Sequence, residues 1–170
     1  MEIKVLTMSE KLWGDLLGLL RISEADFVPT LSSRFEGDDL DWKLTEYMKP
    51  KMNCHYVCVY DGDFLCGFTA ISLNYIWKDH LETKEIPCTY IELTLIHPEK
   101  RSLGIANMIY NYIEEVFVVT YDVTLMLRRT WSTNLKQQHL YSKMGYELLD
   151  VIPNHRSNNV DTIIFYKNQK

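Results

Sequence analysis

The chain has 170 residues, 46% of them apolar and 24% charged, ordinary globular usage that excludes disordered and fibrous classes. At about 150 residues per domain it reads as one domain, residues 1–170, able to bury roughly 70% of its unfolded surface in one sizeable core. Its 18 Lys and Arg against 23 Asp and Glu leave a net charge of −5, and an acidic excess argues against a nucleic-acid partner, which needs a basic face.

The first ten residues, MEIKVLTMSE, alternate apolar and polar side chains and show no basic segment leading into an apolar one, so no signal peptide is expected. No apolar run approaches the roughly 20 residues that span a bilayer. The expectation is a soluble, cytoplasmic protein with no membrane partner. Cys54, Cys58, Cys66 and Cys88 then read as buried thiols rather than a disulfide framework. They lack paired metal-ligand spacings, so no metal is expected.

In chain order, Glu2 to Thr7 reads as a strand and Ser9 to Leu20 as a helix capped by Ser9. A second helical region is expected over Ser23 to Arg34, an acidic loop over Glu36 to Asp41, and a short helix over Trp42 to Met48 stopped by Pro50. His55 to Tyr60 and Phe64 to Ile76 are β-rich and joined by Asp61-Gly62-Asp63, a hairpin signal because Asp-Gly supplies the positive φ of a tight turn. A polar loop, Lys78 to Pro87, leads to a strand over Thr89 to Ile96. Ile105, Met108, Ile109, Tyr112, Ile113 and Val116 then fall on one face of a helix. A strand over Val123 to Trp131, a helix over Asn134 to Met144 stopped by Gly145, and strands over Tyr146 to Ile152 and Asp161 to Tyr166 complete the chain. The order predicts an α/β (α+β) fold: a mixed, mostly antiparallel sheet with one central βαβ crossover.

The segment His97 to Ala106 joins a strand to a helix, and such a turn aims free backbone N–H groups at the positive end of the helix dipole. An anion, a diphosphate especially, is well held there. Gly104 permits close approach or a positive φ, Ala106 keeps the first helical turn slim, and Arg101 adds a cation. Arg-x-x-Gly-x-Ala has only three fixed positions, and a Gly before a helix is often turn chemistry alone. A Rossmann loop fits less well because it wants three glycines.

In its strand and helix context, this segment resembles the acetyl-CoA-binding signature of the GNAT superfamily of N-acetyltransferases, Arg/Gln-x-x-Gly-x-Gly/Ala. Thr94-Leu95-Ile96-His97-Pro98-Glu99 is similar to the lead-in of that signature. A second block follows in Asn134 and Leu140-Tyr141-Ser142-Lys143-Met144-Gly145-Tyr146-Glu147. The similarity is strongest over Tyr90 to Leu149, and residues 1–50 match only in element order.

The resemblance implies the acyl-CoA N-acyltransferase fold, with helices on both faces of the sheet. It also implies transfer of an acetyl group from acetyl-CoA to a primary amine of a small molecule or peptide, by direct attack in a ternary complex. By resemblance, Ser102, Leu103, Gly104, Ile105 and Ala106 bind the pyrophosphate, with Arg101 opening the turn, and Leu95 and Ile96 pair with the pantetheine arm. An N–H near Ile96 meets the developing oxyanion. Tyr141 is implied as general acid, since a phenol of pKa about 10 keeps its proton at neutral pH; equally, it packs against the sheet. Glu92 is the candidate base, or accepts a structural hydrogen bond; alternation puts it on one face with Thr94 and Ile96. Asn134 binds the cofactor, caps its helix, or both.

The acceptor site in this superfamily draws on segments that here contribute Phe27, Phe35, Glu36, Asp38, Asp39, Asp41, Trp42, Tyr75, Trp77, Asp79 and Glu82. Carboxylates among aromatics suit a cationic amine, although a charge run is also an ordinary solvated surface. A monomer or homodimer is expected. Two other readings stand beside the enzyme: a non-catalytic acyl-CoA-binding regulator of the same fold, and an α/β binding module without a CoA site.

Overall fold

A computed structural model of the chain describes residues 1–79, 81 and 83–169. Seven strands form one sheet: β1 (Glu2–Leu6), β2 (His55–Asp61), β3 (Phe64–Lys78), β4 (Glu85–Ile96), β5 (Leu125–Trp131), β6 (Glu147–Ser157) and β7 (Val160–Asn168). Their spatial order is β1-β2-β3-β4-β5-β7-β6, with β4 and β5 parallel and every other neighbouring pair antiparallel. The parallel pair needs a crossover, which the helical stretch between them supplies.

Helix α1 (Glu10–Ser23) starts where expected, with the Ser9 hydroxyl accepting from Leu12 N–H at 3.2 Å. It runs one turn past Leu20. The second expected helix does not form. Two short 3₁₀ turns, Glu24–Asp26 and Leu31–Arg34, flank Pro29 instead, because proline lacks an N–H and pushes the preceding residue out of helical geometry. Helix α2 (Leu40–Met48) follows, capped by Asp39, and ends in a 3₁₀ turn at Lys49–Lys51 that contains Pro50.

Leu12, Leu16, Leu20, Leu44 and Met48 cover one face of the sheet, packing on Tyr56, Phe68, Leu93 and Leu95. The other face is covered by α3 (Ile105–Tyr112), which continues through a π turn (Ile113–Phe117) into α4 (Val118–Thr120), and by α5 (Leu135–Lys143). The wide π turn shifts the helical phase. Phe117 is buried and Val116, expected on the inner face, is 40% exposed.

The β2–β3 hairpin turns at Gly62, with φ +61°. Strand β4 begins four residues before the expected Thr89, shortening the polar loop. Strands β6 and β7 are longer than their apolar cores because they pair out to Ser157 and Val160. All four cysteines are buried free thiols. No helix of the described residues is long and apolar enough to cross a membrane.

Candidate active site

Strands β4 and β5 run together for only three residue pairs, Thr89 with Met126, Tyr90 with Leu127 and Ile91 with Arg128. Beyond Ile91 they separate, and a cleft of about 130 Å³ opens between them. Its edges are Glu92 to Thr94 on one strand and Arg129 to Trp131 on the other. Phe27 and Tyr47 close it on the α1/α2 side; Tyr110, Asn134, Gln137 and Tyr141 close it on the α3/α5 side. The cleft thus passes through the sheet and joins its two faces.

A β-bulge sits at this point. Ala70 pairs with Leu93 and Ile71 with Ile91, leaving Glu92 as the extra residue. Ile91 therefore packs on the α3 side, whereas Leu93 and Leu95 pack on the α1/α2 side. The expected alternation of Glu92, Thr94 and Ile96 on one face is broken. Glu92 shares the α1/α2 face with Leu93, and Ile96 faces α3, where its side chain lies against Gly67 and Ile105. The Glu92 carboxylate accepts from the Ser72 hydroxyl at 3.0 Å. The structural hydrogen bond of the sequence reading is present, and the carboxylate also borders the cleft.

Of the two residues expected along the pantetheine arm, Ile96 and Leu95 behave differently. The N–H of His97 donates to the Cys66 carbonyl of β3 at 2.9 Å. Since successive peptide groups in a strand point to opposite sides, Ile96 and Thr94 turn their N–H groups toward the open gap, and Leu95 turns its own toward β3.

The turn between β4 and α3 is exposed from Arg101 to Gly104. Ser102 and Gly104 both take left-handed backbone conformations, φ +63° and +79°. A left-handed residue followed by a right-handed one, as Gly104 and Ile105 are, curls N–H groups into an anion-binding concavity. No side chain caps α3, whose first hydrogen bond runs from Met108 N–H to the Gly104 carbonyl. Ile105, Ala106 and Asn107 therefore offer uncapped N–H groups, and open space surrounds the position a Gly104 Cβ would take. This donor set fits a diphosphate. Arg101, however, is not the free cation the sequence reading expected. Its guanidinium ion-pairs with Asp26 and donates from Nε to the Ile96 carbonyl at 3.3 Å. It ties the turn to β4 and to the segment after α1.

Tyr141 is 4% exposed, its ring packed on Tyr146 and Phe165 at centroid distances of 5.8 and 5.6 Å. It is at once a core residue and a wall of the cleft, because α5 is braced where the sheet splits. Burial pushes its phenol far above the usual tyrosine range, with nearby Tyr110 adding and Arg128 opposing. Asn134 caps α5, its Oδ1 accepting from Gln137 N–H at 3.3 Å, and also borders the cleft.

Sequence reasoning missed the arginines. Arg128 is fully buried, its Cζ 4.7 Å from the Tyr110 ring centroid, 4.6 Å from that of Tyr146 and 5.5 Å from that of Tyr141, and it lies 3.6 Å from the Glu114 carboxylate. Its Nε and Nη1 have no hydrogen-bond partner among the described residues. Arg129, the next residue, points to the opposite face and borders the cleft with Arg156. The Arg128-Arg129 pair in an apolar strand was the available signal.

The expected acidic acceptor cluster does not line the cleft. Asp41 pairs with Arg21, Asp39 caps α2, and Asp79 accepts from Thr83 and Lys84 N–H. Glu36 and Asp38 are exposed. Glu82 lies outside the described residues. Phe27 from that set borders the cleft; Phe35 and Trp42 pack edge-to-face on each other, and Trp77 is buried near Tyr90.

The family model of the acetyltransferase (GNAT) family matches residues 16–146. The chain belongs to that family of acetyltransferases. Among solved structures it is similar to an aminoglycoside 6'-N-acetyltransferase complexed with coenzyme A (19% identity, TM-score 0.68, 100% of this chain and 98% of that one). It is also similar to yncA of Salmonella typhimurium with its cofactor acetyl-CoA (9%, TM-score 0.69, 100% and 95%). A third is the ribosomal-protein-S18-alanine N-acetyltransferase of Escherichia coli (8%, TM-score 0.68, 99% and 95%). At these identities the likeness is one of fold. A search of curated proteins by sequence finds no match.

Proposed function

We propose that this acetyltransferase moves the acetyl group of acetyl-CoA to a primary amine of a small molecule by direct attack in a ternary complex. The observation that carries the reading is the cleft through the split sheet, which has Glu92 on one face and Tyr141 on the other, with the uncapped turn Ser102–Ala106 following β4, the strand that forms one of its edges. Bound acetyl-CoA supplies an activated thioester.

The chain's own groups account for the remaining requirements. The N–H groups of Ser102 to Ala106 hold the diphosphate. The Ile96 N–H, turned into the gap, takes the pantetheine arm and opposes charge developing on the acetyl oxygen. Glu92, fixed by Ser72, receives the proton the amine must lose, directly or through a water. Tyr141, kept protonated by burial, gives its phenolic proton to the departing sulfur. Proton flow thus enters at one face of the sheet and leaves from the other.

The test is a screen of acetyl-CoA-dependent thiol release across primary amines. Transfer by the wild type, with turnover lost in Tyr141→Phe and reduced in Glu92→Gln, supports the assignment. Acetyl-CoA binding without transfer to any amine would identify a non-catalytic binding protein. No thermal stabilisation by acetyl-CoA would remove both readings, since a ligand that binds the native state raises its stability.

A further inference from the structure

A chain of net charge −5 lines one end of this cleft with cations. Arg129 of β5 and Arg156 of β6 are part of its wall. Arg34, in the turn Leu31–Arg34, stands 5.6 Å from the ring centroids of both Phe27 and Tyr47, which are wall residues. The aromatic neighbours of the other two are Tyr90, 5.7 Å from Arg129, and Trp131, 6.0 Å from Arg156.

The hydrogen bonds of these arginines are to neutral oxygens. Arg34 donates to the carbonyls of Pro29 (3.0 Å) and Val28 (3.4 Å), and Arg156 donates to the Thr162 hydroxyl (2.9 Å). The arginines ion-paired among the described residues are Arg21, Arg101 and Arg128. Arg34, Arg129 and Arg156 are not among them. Of the carboxylates, Glu92 alone borders the cleft among the described residues, bound to Ser72.

Arg129 and Arg156 share a cleft wall and Arg34 stands behind Phe27 and Tyr47. The three half-buried guanidiniums repel one another, although at Arg129 the neighbouring Tyr90, Tyr47 and Glu92 outweigh burial. Burial, together with Arg129 and Arg34, pushes Arg156 down to about 10, and burial likewise lowers Arg34, with Arg129 adding to it. A carboxylate or phosphate entering between them relieves that repulsion, and the guanidinium fork matches either group with two parallel hydrogen bonds. The same α1/α2 side of the cleft also presents the Glu92 carboxylate, which suits an ammonium or amine.

We infer that the acceptor is an anionic amine, a molecule whose carboxylate or phosphate is bound by Arg129, Arg156 and Arg34 while its amino group lies at Glu92. This inference rests on the acetyl-transfer reading above. It replaces the cationic acceptor drawn from the acidic loops, whose described carboxylates do not line the cleft: Asp39, Asp41 and Asp79 are engaged elsewhere, and Glu36 and Asp38 are exposed. The arginines select by charge, and Phe27, Tyr47 and Trp131 offer faces to the carbon skeleton.

The experiment compares thiol release for matched amines: glucosamine with glucosamine 6-phosphate, alaninamide with alanine, and spermidine and kanamycin as cations. The anionic member of a pair should exceed its partner in kcat/KM by about tenfold or more. The sugar and amino-acid pairs separate phosphate from carboxylate. Arg129→Gln and Arg156→Gln should remove the preference through KM for the amine and leave KM for acetyl-CoA unchanged, with Arg129→Lys restoring part of it.

A readout without turnover uses inorganic phosphate and malonate as probes in the presence of saturating CoA. Either should raise the melting temperature of the wild type but not of Arg129→Gln. Faster transfer to spermidine or kanamycin, or an anion shift unchanged in both glutamine variants, overturns the inference and leaves acetyl transfer standing. Failure of acetyl-CoA to stabilise the protein overturns acetyl transfer itself, and the anion shift then judges the arginine site independently.

Discussion

Tyr141, proposed as the general acid, is also a packed core side chain. Its ring belongs to the core with Tyr146 and Phe165, so removing only the hydroxyl costs little packing. Tyr141→Phe is therefore expected to remain folded, to keep its KM for acetyl-CoA, and to lose roughly 10²-fold or more in kcat, the usual range for general acid help. Steady-state kinetics check this, and unchanged turnover would falsify the assignment. The pH dependence follows from the same burial. A raised phenol pKa means the acid keeps its proton beyond the ordinary tyrosine range, so kcat should show no alkaline decline from Tyr141 up to about pH 10. A pH–rate profile measured with excess acceptor decides it. Both Tyr141 and Glu92 stood out in the sequence by type and position. The face Glu92 occupies did not, because a bulge is a property of two paired strands and leaves no mark on one.

At the scale of elements, two glycines shape the turn and strand proposed to hold the cofactor. Gly104 begins α3 with φ +79°, a conformation that costs a residue with Cβ about 1–2 kcal/mol. Gly104→Val should raise KM for acetyl-CoA about tenfold, with a smaller change in kcat, as the turn relaxes away from its left-handed geometry. Gly67 on β3 has a different task. A Cβ there would sit 2.6 Å from Ile96 Cδ1 and 3.0 Å from the Leu95 carbonyl oxygen, so β3 can back closely onto the segment of β4 that borders the gap. Gly67→Ala should destabilise the fold by about 1–3 kcal/mol, measured by urea unfolding, through forced shifts of β4. The caps of α1 and α5 and the β2–β3 turn were legible in the sequence because each depends on residues within four positions. The π turn was not, since its widened helix is selected by how Phe117 meets the sheet.

Across the whole molecule, the dense set of buried phenols gives stability a particular pH signature. Burial raises Tyr56, Tyr90, Tyr141 and Tyr146 well above the ordinary value. Their protons are held more tightly in the folded chain than in the unfolded one. The stability they contribute is therefore full below about pH 10, where the unfolded phenols begin to ionise, and is lost progressively above it. Each group adds up to about 1.4 kcal/mol of loss per pH unit. Cys58, pushed up to about 12 by burial, acts in the same sense from its lower ordinary value. Unfolding midpoints in urea should fall steeply above about pH 10 and change little from tyrosine between pH 7 and 9.

The sequence by itself determined the order of elements, the glycine turn at Arg101 to Ala106 that leads into α3, and the pairing of that turn with the Asn134–Tyr146 block. Each is written in local periodicity, caps or short spacings. Only the tertiary structure decided where charge lies. Arg34, Arg129 and Arg156 are 95 and 27 residues apart in sequence, yet two of them line one cleft and the third stands behind its Phe27 and Tyr47, while the described carboxylates of the acidic loops that looked like an acceptor site lie away from it. Convergence of that kind comes from strand order and from the parting of β4 and β5, and these are set by packing across the whole sheet rather than by any neighbouring residues.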